Sequence, residues 1–259
     1  MPRPPLSPRA ALGVLGASVL LAWFFWDAVA LWPVKLLAVM VHEGGHALAT
    51  LLVGGKVQRV TLAGDESGAC LSLLPPGLWR QMIVYSAGYV GSALAGAALL
   101  VASFRMRSRR LLVGLCCGWL CVMGVFYAGD AFTLAFCLGT AVLLGLALRF
   151  LPALAVEALA LFLAAFIALY AAFDLRSDLW DGAVRGRSDA ALLASLTWVP
   201  ALFWALLWSL ASLALIGLAL VHVFRAGTAA RAVRISVAAR RRPRARWAVR
   251  RSRAASGVP

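Results

Sequence analysis

Apolar residues run in long blocks along the chain, broken by short polar punctuation. The first block extends from Ala11 to about Leu31 and ends among Trp23, Trp26 and Trp32, an aromatic cluster of the kind that settles at a membrane–water interface. Pro33 opens a second block reaching about Val53. Proline suits a helix's first turn, where its missing N–H has no partner to lose. Gly54-Gly55 ends that block, and the period then changes. Val57, Arg59 and Thr61 alternate with Gln58, Val60 and Leu62, and Ala63 to Gly68 supplies a turn. The chain returns over Ala69 to Leu74 and stops at Pro75-Pro76, so residues 56–74 predict a small β-hairpin. A third helix is predicted from about Arg80 to Ser103. A basic loop with Arg105, Arg107, Arg109 and Arg110 follows. Leu111–Ala128 and Ala131–Leu148 read as a helical pair, and Pro152 opens a sixth helix ending near Phe173. A polar loop, 174–189, separates it from the last apolar run, Ala190–Phe224. That run is too long for one straight crossing, and Pro200 divides it.

Composition fixes the medium. Hydrophobic residues make up 63% of the 259 and charged residues 14%, against roughly 45–50% and about 25% in an ordinary soluble domain. A soluble enzyme, a disordered chain and a disulfide-rich secreted module are excluded. Blocks of about 20 residues match the hydrocarbon thickness of a bilayer. The predicted fold is therefore an all-α polytopic membrane protein with about seven transmembrane helices and one small β-hairpin insertion. Residues 1–224 form the membrane domain, and 225–259 a basic, disordered tail. The five cysteines (Cys70, Cys116, Cys117, Cys121, Cys137) are odd in number and mostly lie in apolar runs. They read as small buried hydrophobes rather than a disulfide framework.

The formal charge is +15, and eleven arginines with no acid fall between Arg225 and Pro259. Lys and Arg concentrate on the cytoplasmic side of membrane proteins. An outside N-terminus and seven crossings put Lys35, the 105–110 arginines, Arg149 and the tail on that side, which predicts a multi-pass cell-membrane protein with a cytoplasmic tail. A juxtamembrane polybasic segment points to anionic lipid as the tail's partner rather than nucleic acid.

The chemistry lies in Val41-His42-Glu43-Gly44-Gly45-His46-Ala47. On a helix, residues four apart share a face, so both imidazoles can reach one Zn²⁺. Glu43 sits beside them, placed to take a proton from water. The motif lies inside an apolar run, where His and Glu are costly and normally functional. A catalytic zinc needs a third protein ligand. His222, at the far end of the last helix, reads as an interfacial residue, so the third ligand is expected to be a carboxylate. Asp27 can reach the interface, Asp65 and Glu66 are turn residues, Asp130 is explained by helix capping, and Glu157 by snorkelling. Asp174, Asp178, Asp181 and Asp189 remain. Asp174 ends the sixth helix and Asp189 opens the seventh, so both can fold over the metal.

These motifs resemble the site-2 protease family of intramembrane zinc metallopeptidases. The resemblance rests on His42 to Leu48, on Gly54-Gly55-Lys56 and on Ala87-Gly88-Tyr89-Val90-Gly91. It is narrower toward the small peptidase B-like branch, through Ala172-Phe173-Asp174, Ser188-Asp189-Ala190 and the Trp204–Trp208 helix. Gly44 stands where that family usually has Leu, and the Leu-Asp-Gly motif of other branches is absent. The resemblance implies an endopeptidase with one Zn²⁺ per chain, held by His42, His46 and an aspartate, Asp189 first and Asp174 second, with Glu43 as base. The implied substrate is a membrane-anchored protein cut in or near its transmembrane segment. The hairpin would offer an edge to that substrate. Ser86, Gly88, Ser92 and Gly96, with Gly91 and Ala95, give the third helix a small-residue stripe suited to close packing in lipid. The alternative is a non-catalytic transporter or assembly factor with a structural metal.

Overall fold

The computed structural model describes residues 6–106, 108–180 and 188–240, without the side chains of 8, 171–180 and 226–240. Its contacts divide the chain into two units, Met1–Leu220 and Val221–Pro259. The first unit opens with α1 (Pro8–Phe25), capped where the Ser7 hydroxyl accepts the Ala10 N–H at 3.2 Å. A short 3-10 turn, Val29–Leu31, leads into α2 (Trp32–Leu52), which has Pro33 in its first turn. Past its end Gly54 turns left-handed at φ 81°, and the Gly55 N–H donates to Thr50 O at 2.8 Å. A side chain would strain that exit.

The hairpin forms as the alternating pattern predicts. Strands β1 (Lys56–Leu62) and β2 (Gly68–Leu73) pair antiparallel, with a bulge at Val57/Arg59. Its β1 flank is pinned. The Gly129 N–H donates to Val60 O, and the Leu62 N–H to the Thr133 hydroxyl, each at 2.8 Å. At the tip, the Trp32 indole donates to Gly64 O at 2.8 Å, and Lys35 lies 2.5 Å from Glu66.

Five more helices follow in the described residues of this unit: α3 (Leu78–Arg105), α4 (Arg110–Tyr127), α5 (Ala131–Phe150), α6 (Ala153–Trp180) and α7 (Asp189–Thr197). Asp130 caps α5, accepting the Thr133 N–H at 2.7 Å, as its position at the turn predicts. Trp198 leaves α7 at φ 62°, and Pro200 separates it from α8 (Ala201–Arg240). The long last run is thus two helices. Residues 225–240 continue α8, and 241–259 of the tail lie outside the described residues. The α8 helix extends into the second unit, where it carries His222.

Among the described residues, five segments are long and apolar enough to cross a membrane: Leu78–Arg105, Arg110–Tyr127, Ala131–Phe150, Ala153–Tyr170 and Ala201–Arg225. The shorter apolar helix Arg9–Phe25 is a sixth apolar segment, and α2 is not among the spans, so five spans and a short sixth stand where about seven crossings were expected. Helix α2 is less apolar because it carries Lys35, His42, Glu43 and His46, and it packs against α3, α6 and both hairpin strands. Most of its residues from Lys35 to Thr50 are buried, and its Leu36, Leu37 and Met40 anchor the main core. An all-α polytopic architecture with one β-hairpin follows.

One acid differs from its expected state. Glu157 does not snorkel. It is buried and pairs with buried Arg109 at 2.9 Å, while also accepting the Leu6 N–H at 2.6 Å. Burying both charges together costs less than burying either alone.

Candidate metal centre

Helical spacing puts His42 and His46 on one face of α2, one turn apart, with Nε2 atoms 3.1 Å from each other. Helix α7 brings the third group. Its cap is Ser188, and Asp189 in its first turn aims a carboxylate at the pair. Asp189 Oδ2 lies 3.2 Å from His42 Nε2 and 3.1 Å from His46 Nε2. Among the described residues this is the one group of three His, Cys, Asp or Glu side chains close enough to share an ion.

The donor set fits a small divalent cation. The His46 Nδ1–H donates to Val84 O at 2.7 Å; a carbonyl only accepts, so in the neutral ring Nε2 presents a lone pair. Two imidazole nitrogens and a carboxylate oxygen then meet at one point. Donors at about 2.0–2.1 Å from a tetrahedral centre stand roughly 3.3–3.4 Å apart, close to the triangle observed here. The space inside is kept clear by Gly88 of α3, where a Cβ would overlap both Nε2 atoms. Gly45 permits that approach of α3, since a Cβ there would overlap Ala87 O.

Glu43 joins His42, His46 and Asp189 in lining a cavity of about 680 Å³. The hairpin forms its opposite wall, from Asp65 at the tip through Ser72 on β2. Gly68 sits so close that an added Cβ would stand 2.7 Å from Glu43 Oε1. Behind α2, a separate apolar cleft of about 820 Å³ is lined by Gly44, Leu48, Ala87, Gly91 and Trp119, with no His, Asp or Glu in its lining.

The structure therefore brings together four of the five singled-out residues: His42, Glu43, His46 and Asp189. The fifth, Asp174, and the loop acids Asp178 and Asp181 fall where side chains lie outside the described residues. Asp65 and Glu66 line the cavity, Glu66 bound to Lys35. Asp130 and Glu157 are occupied elsewhere, in the α5 cap and the Arg109 pair. Gly88 and Tyr89 belong to the third-helix motif read from the sequence, and the structure sets Gly88 against both Nε2 atoms and Tyr89 beside His42. Two residues that matter to the site were not singled out for it: Gly68 against Glu43 and Trp119 behind Gly44. Their signal is weak because Gly and aromatic residues are common throughout this chain.

Fold and site together give a polytopic helical protein with a candidate His–His–Asp metal centre. The family model described as Peptidase M50B-like matches residues 15–219, and the chain belongs to that family. This agrees with the resemblance to site-2 proteases drawn from the motifs. No curated protein and no solved structure matches the chain.

Proposed function

We propose that this protein is a zinc endopeptidase of the cell membrane that hydrolyses a peptide bond in or near the transmembrane segment of a membrane-anchored protein. The observation that carries the reading is the convergence of His42 Nε2, His46 Nε2 and Asp189 Oδ2 within 3.2 Å of one another, in a cavity that Glu43 also lines. These three side chains would hold one Zn²⁺ per chain. Zinc held there supplies Lewis acidity toward water and a peptide carbonyl.

The chain's own residues do the rest. Glu43 takes one proton from the attacking water as its oxygen bonds to the scissile carbonyl carbon. It then returns the proton to the amine nitrogen as the C–N bond breaks, so one carboxylate serves as base and acid in turn. The hydrogen bond from His46 to Val84 O fixes that ring's tautomer and direction. Strand β2 borders the cavity, while β1 is tied to the Gly129 turn. An extended substrate segment would add to β2 by main-chain hydrogen bonds, a mode that suits a locally unwound helix. The eleven tail arginines would bind anionic lipid at the cytoplasmic face.

Proteolysis of candidate membrane proteins by wild type and Glu43→Gln, with zinc measured on both, tests this. Glu43→Gln should keep its zinc and lose at least about 10²-fold in rate. Full activity in that variant would overturn the mechanism. Bound zinc with no proteolysis in wild type would favour a structural metal in a non-catalytic membrane protein.

A further inference from the structure

The two imidazoles at the centre are held by different means. His46 Nδ1 donates to Val84 O, whereas His42 Nδ1 is buried and has no hydrogen-bond partner among the described residues. Imidazole ligands ordinarily anchor the ring nitrogen that does not face the metal on an acceptor. The rotation of an imidazole about its last torsion is otherwise broad.

His42 has a ring beside it instead. Tyr89 meets it edge to face, with centroids 4.6 Å apart and planes at 85°. Tyr89 in turn stacks on Trp208 of α8 at 5.3 Å and 28°, and Trp208 packs on Trp204 at 6.2 Å. Tyr89, Trp204 and Trp208 are buried in one cluster with Ala190 and Leu193 of α7. The same column thus backs His42 and seats the helix whose first residue is Asp189. Edge-to-face contact is a favoured aromatic geometry, and with Trp208 behind it the Tyr89 ring has little room to yield.

We propose that Tyr89, backed by Trp208, is the positioning residue of His42, doing by ring contact what Val84 O does for His46 by hydrogen bonding. This rests on the metal-site reading above. Loss of the ring frees the imidazole, widens the distribution of His42 Nε2 positions and weakens the metal site. It leaves all three converging side chains in place.

The test uses the full chain in detergent, with zinc affinity read by chelator competition and the site's geometry read from the visible bands of a Co²⁺-substituted sample. Tyr89→Leu should bind zinc about 10–100-fold more weakly, the cost typical of losing an outer-sphere partner, and should shift and broaden the Co²⁺ bands. Tyr89→Phe keeps the ring and should keep affinity and spectrum. Trp208→Leu should move both readouts in the same direction as Tyr89→Leu, and it carries the test if that variant does not fold. Wild-type affinity and spectrum in the Leu variants would overturn the proposal. So would equal losses in Tyr89→Phe and Tyr89→Leu, which would put the effect on the hydroxyl. Asp189→Ala separates the two levels: if it binds zinc as wild type does, the metal-site reading itself falls, whatever Tyr89 does.

Discussion

The indole of Trp119 occupies the space that a side chain at Gly44 would need: a Cβ built there overlaps the six-membered ring. Gly44, between His42 and His46, is thus matched to Trp119. A tryptophan from α4 takes the space that a larger residue at position 44 would fill. Gly44→Leu should therefore overpack and destabilise the protein by about 1–3 kcal/mol. Trp119→Ala should relieve it, so the double variant should be more stable than the two single losses added together. Thermal unfolding of the four proteins in one detergent measures the coupling. Simple additivity would show that the two positions do not compete for the same space.

A second expectation concerns Gly88. A methyl group there falls between the two Nε2 atoms. Gly88→Ala should abolish zinc binding with its helical circular dichroism unchanged. Gly91→Ala is the control on the same helix, because its Cβ would meet only Gly45 Cα, at an ordinary 3.4 Å. Zinc content after dialysis distinguishes the two. A Gly88→Ala protein that retains one zinc would mean that the ion sits elsewhere.

The Arg109–Glu157 pair predicts an asymmetric mutational response. Arg109→Met leaves a buried carboxylate unpaired and should cost about 3–5 kcal/mol. Adding Glu157→Leu should recover most of that, less the share owed to the Leu6 N–H that Glu157 also binds. Denaturation midpoints of the single and double variants check it. Equal stability of all three proteins would show the pair to be solvated.

Cys70 offers a pH-dependent probe of the hairpin wall. Burial pushes its thiol up to about 11; the Ser72 hydroxyl opposes the shift and the nearby Glu43 and Asp189 charges add to it. Only the thiolate reacts with alkylating reagents. In a chain with Cys70 as its sole cysteine, labelling should be slow at neutral pH and climb about tenfold per pH unit toward the raised value. Glu43→Gln removes one of the charges that disfavour the thiolate and should speed labelling at a fixed pH. A rate that levels off near pH 8 would show the thiol to be unperturbed.

Local physics makes much of this molecule legible in the sequence. Apolar block length sets the helices, period-two alternation sets the hairpin, and Pro200 sets the break between α7 and α8. Four-residue spacing is enough to pair His42 with His46, because a helix fixes that relation by itself. The same spacing says nothing about which carboxylate comes to them. That depends on how α6 and α7 return to α2 across most of the chain. The buried state of Glu157 is hidden from the sequence for the same reason: its partner Arg109 is 48 positions away. The roles of Gly88 and Trp119 are hidden because each acts only through what packs against it.

His42 and the carboxylate that meets it are 147 positions apart. During synthesis the histidine-bearing helix therefore enters the membrane long before Asp189 is made. Between the making of His46 and of Asp189, the nascent chain carries the two imidazoles and Glu43 without the oxygen that meets them. With Asp189 as the third ligand, the three-donor site can close only after α7 has been made. The order of translation thus sets the His pair in place well before the group that completes the site.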